Sequence, residues 1–438
     1  MPPPKQECPI FITLRPSENS IVRGSPGVAY SIPRLETTIE IRSTNGCPFR
    51  CKSVSVELQT RQRAAMPSKL SSSEVYKDYR TTSKHLAYLA PPNEADKDIL
   101  ALDIPLLYLL PRDLTPSFFT PTWDASLVHM LVVDFTGGGL PSAELRCSIS
   151  FFIPIQSFDS LPLYRQFREP AHETHTSRDR HTEALFTLPV TCAGPQDHFS
   201  VDLKVRANPM LNKRVKGLTL KSVSVKLKEV LECFDGGLPA HKEVELLTFS
   251  KDYDKLLTTE GVSETLSFVF PSENDWLALY DSSYRFEEGT VANASATFIR
   301  TKNYTKPIAG IPLTNTQSFS ISGKLFTLRH EFQVKIKISH GRNLEFSVPF
   351  TVSPFNVASC NYLFSWIREE CNMARDRFGR ETVAEVASTH NHEAAQSILH
   401  LFCQPPTVYP FDRTGWKQLG YHIDSFGKSG TPVVAYID

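Results

Sequence analysis

The sequence has no surplus of charge of either sign: Lys plus Arg and Asp plus Glu each total 47 among 438 residues. No global field draws such a chain to nucleic acid or to an acidic membrane, so electrostatic binding has to be local. Nothing approaches the run of about eighteen apolar residues that a transmembrane helix needs. The opening Met1-Pro2-Pro3-Pro4-Lys5 also has no apolar stretch of the signal-peptide kind. Nine cysteines, an odd number without a tight framework, suit a reducing compartment in which thiols stay free. These absences predict a soluble, cytoplasmic protein, and the sequons at Asn293 and Asn303 then read as chance matches. Helical heptads are lacking, whereas proline is abundant at 32. With 41% hydrophobic residues the chain can bury real cores. Many short segments broken by Pro, Asn and Gly predict an all-β sandwich class rather than βαβ units.

What is present, above all, is a repeat. The octet Lys52-Ser53-Val54-Ser55-Val56-Glu57-Leu58-Gln59 returns as Lys221-Ser222-Val223-Ser224-Val225-Lys226-Leu227-Lys228. In both copies Val, Val and Leu alternate with polar residues, the period of two that a half-buried strand requires. An alternating segment and a turn precede each copy: 37–42 and 44–48 in the first, 199–206 and 208–212 in the second. The duplication predicts two β-rich lobes, at 10–158 and 185–355, joined by an exposed connector at 159–184 rich in Arg, His, Glu and Pro. Residues 66–98 read as a long polar insertion in the first lobe. The second lobe closes with two alternating strands around a turn at His340-Gly341-Arg342-Asn343. Beyond Phe355 the spacing of Tyr362, Leu363, Trp366, Ile367 and Cys371 becomes helical. A weaker helix covers 383–402, and 404–438 reads as loop, giving a tail at 356–438.

Two tandem immunoglobulin-like lobes of this kind resemble the arrestin fold. The closing segment Leu325–Ile338 with Phe346–Phe355 is similar to the last strands of fungal alpha-arrestins, the arrestin-related trafficking adaptors. The resemblance covers roughly 21–355 and leaves out the tail. It implies an adaptor, not an enzyme, that sits in the cytoplasm and peripherally at plasma membrane and endosomes. Such an adaptor recognises cytosolic tails of membrane transporters or receptors and recruits a HECT-type ubiquitin ligase with WW domains. It needs no cofactor, metal or nucleic acid.

Adaptors of that family carry Pro-Pro-x-Tyr or Leu-Pro-x-Tyr motifs, whose polyproline conformation fits WW-domain grooves. One fit occurs here, Leu161-Pro162-Leu163-Tyr164, in the connector, making Leu161, Pro162 and Tyr164 the candidate ligase contacts. The bland alternative is an apolar cluster packed between the lobes. Pro405-Pro406-Thr407-Val408-Tyr409 has one residue too many. A second candidate is a cationic stretch without acidic residues: Lys204, Arg206, Lys213, Arg214, Lys216, Lys221, Lys226 and Lys228. The alternation places Lys226 and Lys228 on the outer face, so a basic stripe for cargo, phosphate or anionic lipid is the expectation, against a merely solvated sheet face.

Signals for catalysis are weak. Thr136-Gly137-Gly138-Gly139 lacks the downstream Lys of a phosphate loop, and Cys47 with Cys51 has the wrong spacing for a zinc ribbon. His390, His392, His400 and Cys403 could meet on the tail, though without the closer Asp or Cys that metal sites usually show. The alternative to the ligase adaptor is a retromer-like arrestin-fold trafficking scaffold without ligase recruitment, in which the tail helices bind a partner.

Overall fold

The computed structural model describes residues 10–44, 46–67, 74–120, 125–138, 144–210, 217–234, 240–270, 319–426 and 432–435. The first lobe comprises β1 (Ile10–Arg15), β2 (Val22–Arg23), β3 (Arg34–Ser43), β4 (Arg50–Pro67), β5 (Glu74–Leu89), β6 (Ile99–Leu109), β7 (Phe118–Thr120), β8 (Ala125–Gly138) and β9 (Glu144–Phe152). One sheet runs β1-β3-β6, with β2 on β3; the other runs β5-β4-β8-β7, with β9 on β8. Val54, Val56 and Leu58 of the octet face Ile39, Ile41, Leu102 and Ile104 in the core between the sheets.

The second lobe comprises β10 (Ala171–Thr176), β11 (Thr182–Leu188), β12 (Cys192–Ala193), β13 (His198–Ala207), β14 (Thr219–Cys233), β15 (Ala240–Leu256), β16 (Val262–Val269), β17 (Ile321–Ser322), β18 (Phe326–Ser339) and β19 (Leu344–Val352). Its sheets run β10-β11-β13-β16 and β12-β19-β18-β14-β15. The lobes match pairing for pairing. In both, the octet strand lies between a long hairpin partner, β5 or β15, and an antiparallel strand, β8 or β18. The fold is thus an all-β pair of sandwiches, as the repeat predicts.

Two stretches differ from the sequence reading. Part of the 66–98 insertion is β5, which continues the β4 ladder as far as Pro67↔Glu74. The connector is not wholly exposed: β10 joins the second lobe, while Phe158 and Leu161 are core residues. Its abundant polar residues hid both, because β10 is an edge strand with one face in water. At the junction the lobes share a core, with Phe118 of β7 against Phe319 (centroids 5.2 Å) and Phe326 (5.8 Å). Gln62 reaches across, its side-chain oxygen accepting the Leu325 N–H at 2.9 Å.

The tail forms α1 (Val357–Phe378), α2 (Arg380–Ser388), α3 (His392–His400), β20 (Thr407–Pro410), α4 (Arg413–Gln418) and the hairpin β21 (His422–Phe426) and β22 (Pro432–Ala435). Asn356 caps α1 by accepting the Ser359 N–H, and Asn391 caps α3 by accepting from Glu393 and Ala394. The second helix expected from the sequence is two, broken where 389–391 leave helical geometry. No described helix is long and apolar enough to cross a membrane.

Candidate functional site

The segment singled out for WW domains lies where connector, second lobe and α1 meet. Leu161 is 0% exposed and Pro162 is buried. Leu161 shares a cluster with Phe158, Phe355, Cys360, Leu363 and Ile367. Phe158 stacks on Phe355 at 5.2 Å and meets Trp366 at 4.9 Å. Tyr164 lies edge-on to Phe364 at 5.1 Å, and burial, with Asp159 nearby, pushes its hydroxyl up to about 12. Two of the three proposed ligase contacts therefore face a core. The helical face predicted from Leu363, Trp366 and Ile367 is what covers them. Asp197 fastens this helix: its carboxylate accepts the Gly194 N–H at 2.8 Å and the Val357 N–H at 2.9 Å.

The cationic stretch does not form one stripe. Lys204 and Arg206 lie outward on β13, whereas Lys221, Lys226 and Lys228 lie on β14 in the opposite sheet. Lys213, Arg214 and Lys216 lie outside the described residues. Most of the remainder have carboxylate partners: Arg206 with Glu183 (2.9 Å), Lys221 with Asp254 (2.6 Å), Lys226 with Glu245 (2.5 Å) and Lys228 with Glu243 (2.8 Å). The hydrogen bond from Lys228 holds Glu243 below the usual carboxylate range, and that from Lys226 does the same for Glu245. Scanning for cations along one strand could not show that β15 sets acids beside β14.

Sequence reasoning missed what the tail does. The tail runs along the free edge of β6, meeting it step by step. Arg112, just beyond β6, donates to the Val386 carbonyl (2.6 Å). Gln396 uses its side-chain amide as a strand would, accepting the Leu109 N–H at 2.7 Å and donating to the Leu107 carbonyl at 2.8 Å. The Cys403 thiol meets the Pro105 carbonyl, and β20 pairs with β6 from Thr407↔Asp103 to Pro410↔Ile99. Tyr409, the tyrosine of the near-miss motif, donates to Asp103 at 2.8 Å. Outward-facing Leu107 and Leu109 are covered by Ala374, Phe378, Val386 and Leu399. The apolar run Leu106-Leu107-Tyr108-Leu109-Leu110 signals a strand buried on both faces, the one clue available in the sequence.

The tail histidines serve this contact. His392 packs on Tyr108 (6.1 Å) and His400 on His85 (6.0 Å). No group of three or more metal-ligating side chains is found among the described residues. Every described cysteine is a free thiol, and burial raises Cys51 to about 12, so it is inert as a nucleophile.

Comparison with known proteins gives a single type of likeness. No protein-family model matches the chain. It is 22% identical over 447 residues to RHO1 GEF localizing protein 1 of Saccharomyces cerevisiae, a match spanning 92% of each chain. Coverage of that extent takes in both lobes and at least part of the tail.

Proposed function

We propose that this chain is a localising scaffold, a two-lobed body tied together by its tail. It holds partner proteins in place, among them a guanine-nucleotide exchange factor for a Rho-type GTPase. The end-to-end similarity to a protein named for localising such a factor carries this reading. In keeping with it, the scaffold works in the cytoplasm and peripherally at membranes.

The ligase-adaptor reading asks more of the molecule. A WW domain would have to extract Leu161 and Pro162 from the core under α1, while cargo tails would compete with Glu243 and Glu245 for the lysines of β14. Burial of Leu161 favours the scaffold without ligase recruitment through that motif.

Affinity purification of the tagged protein and of Tyr164→Ala from cells separates the two. The scaffold reading expects a Rho-type exchange factor with both proteins. A HECT-type ligase recovered with the parent alone, without an exchange factor, would overturn it.

A further inference from the structure

The unpaired cations of this protein gather at one end of the second lobe, far from the junction and the tail. The β10–β11 turn, the turn opening at Asn208, the β15–β16 turn and the β18–β19 turn converge there, since Thr182 pairs with Ala207, Val205 with Val262, and Thr219 with Ser339 and Leu256. These turns are stitched to one another. Asp179 accepts the Ser177 hydroxyl (2.6 Å), the His181 N–H (3.1 Å) and, from the β18–β19 turn, the Arg342 N–H (2.9 Å). Asn208 donates to the Arg180 carbonyl at 2.8 Å, which fixes the start of the next turn.

Arg178, Arg180, Lys337 and Arg342 are exposed at this end, and among the described residues none of them has a carboxylate partner. That contrasts with Lys221, Lys226 and Lys228, each of which has one. Opposing them are Asp179, engaged in holding the turns, and Glu260. Beside the cations stand two large apolar side chains in water, Met210, 89% exposed, and Leu256, 63% exposed. An acidic peptide would satisfy the arginines and leave Met210 in water. A lipid surface satisfies both, offering anionic headgroups to several turns at once and an apolar boundary to the methionine.

We infer that this end of the second lobe docks on a membrane surface carrying anionic headgroups. The inference is independent of which protein the scaffold holds, because it concerns the isolated chain. Docking this way leaves the first lobe and the tail directed away from the bilayer.

The test is co-sedimentation of the purified full chain with phosphatidylcholine vesicles, with and without phosphatidylserine, at near-physiological salt. Binding is expected only with phosphatidylserine, and to weaken as salt rises. Each cation near an anionic surface accounts for roughly fivefold in partition. Arg342→Gln alone therefore costs about fivefold, and the triple variant Arg178→Gln, Arg180→Asn, Arg342→Gln on the order of a hundredfold. Asn is used at Arg180 because the backbone there has φ of 61°, which Asn tolerates. Met210→Ser lowers binding by about tenfold, the weight of one buried apolar side chain. Unchanged thermal melts confirm that the variants fold. Equal binding to both vesicle types, no binding at all, or full binding by the triple variant would overturn the inference. So would capture of a phosphorylated peptide in solution without vesicle binding, which would assign these arginines to a protein partner.

Discussion

His129 and His330 occupy the same point of the two lobes: each lies directly across from the residue that follows its octet, Thr60 in the first and Glu229 in the second. Both histidines are buried in the sheet that carries the octet. In the first lobe the ring is fully satisfied. Nε2 lies 2.8 Å from the Thr115 carbonyl and so carries the proton, leaving Nδ1 to accept from the Thr60 hydroxyl at 2.9 Å. In the second, Nδ1 meets the Ser320 hydroxyl at 2.9 Å and Nε2 faces the Glu229 carboxylate at 3.5 Å. A duplicated strand pair has kept its buried imidazole and exchanged its neighbour.

The neutral ring of His129 makes the first lobe acid-sensitive. Burial, partly offset by the Thr115 carbonyl, pushes its pKa down from 6.5 to about 4. The unfolded chain takes up a proton below about pH 6.5, whereas the folded chain resists until about pH 4. Stability from this residue is therefore intact above pH 6.5 and declines through that window, by about 3 kcal/mol in all. Urea titrations at pH 7 and pH 4.5 measure the loss, and His129→Gln is expected to flatten it.

Removing Leu161 tests the junction. Leu161→Ala leaves a cavity under α1 and is expected to cost about 2–5 kcal/mol, read as a lower melting temperature. If Leu161 instead served a transient partner, the melt would hardly move.

Gln396→Ala removes both bonds to β6 and leaves the Leu107 carbonyl and Leu109 N–H buried without them, at about 1–3 kcal/mol each. Hydrogen exchange at Leu109 is expected to accelerate markedly, and limited proteolysis to cut the tail sooner, while the octet strands stay protected.

Gly194→Ala should be severe. A Cβ there would fall 1.9 Å from the Phe355 carbonyl oxygen and 2.4 Å from its carbon. The backbone entering α1 would have to move, taking Asp197's bonds to Gly194 and Val357 with it. Expression and thermal melting of the variant check this, and a parent-like melt would refute the close approach.

By contrast Lys226→Ala is expected to change stability by no more than about 1 kcal/mol, since an exposed ion pair contributes little. Double-mutant cycles with Glu245→Ala measure the coupling directly.

Much of the fold was legible because strand alternation is local. Val54, Val56 and Leu58, with their copies, announce a buried face wherever they lie, and repetition announces two lobes. The closing hairpin around His340–Asn343 and the helix over Leu363–Ile367 follow from the same short-range periods. The site residues were less legible because their roles depend on neighbours remote in sequence. Leu161-Pro162-Leu163-Tyr164 has the composition of an exposed ligand, yet Leu363 and Phe364 lie over it. Lys226 and Lys228 look like a free stripe until Glu245 and Glu243 arrive on β15.

The sequence by itself determined the all-β class, the duplication and the helical start of the tail, each written in residue periods of two or between three and four. Only the tertiary structure decided which apolar segment became core, which cations kept their charge free, and that the tail lies along the edge of β6. Burial and ion pairing depend on which strands and helices come together in space, and no periodicity within a single strand records its neighbours.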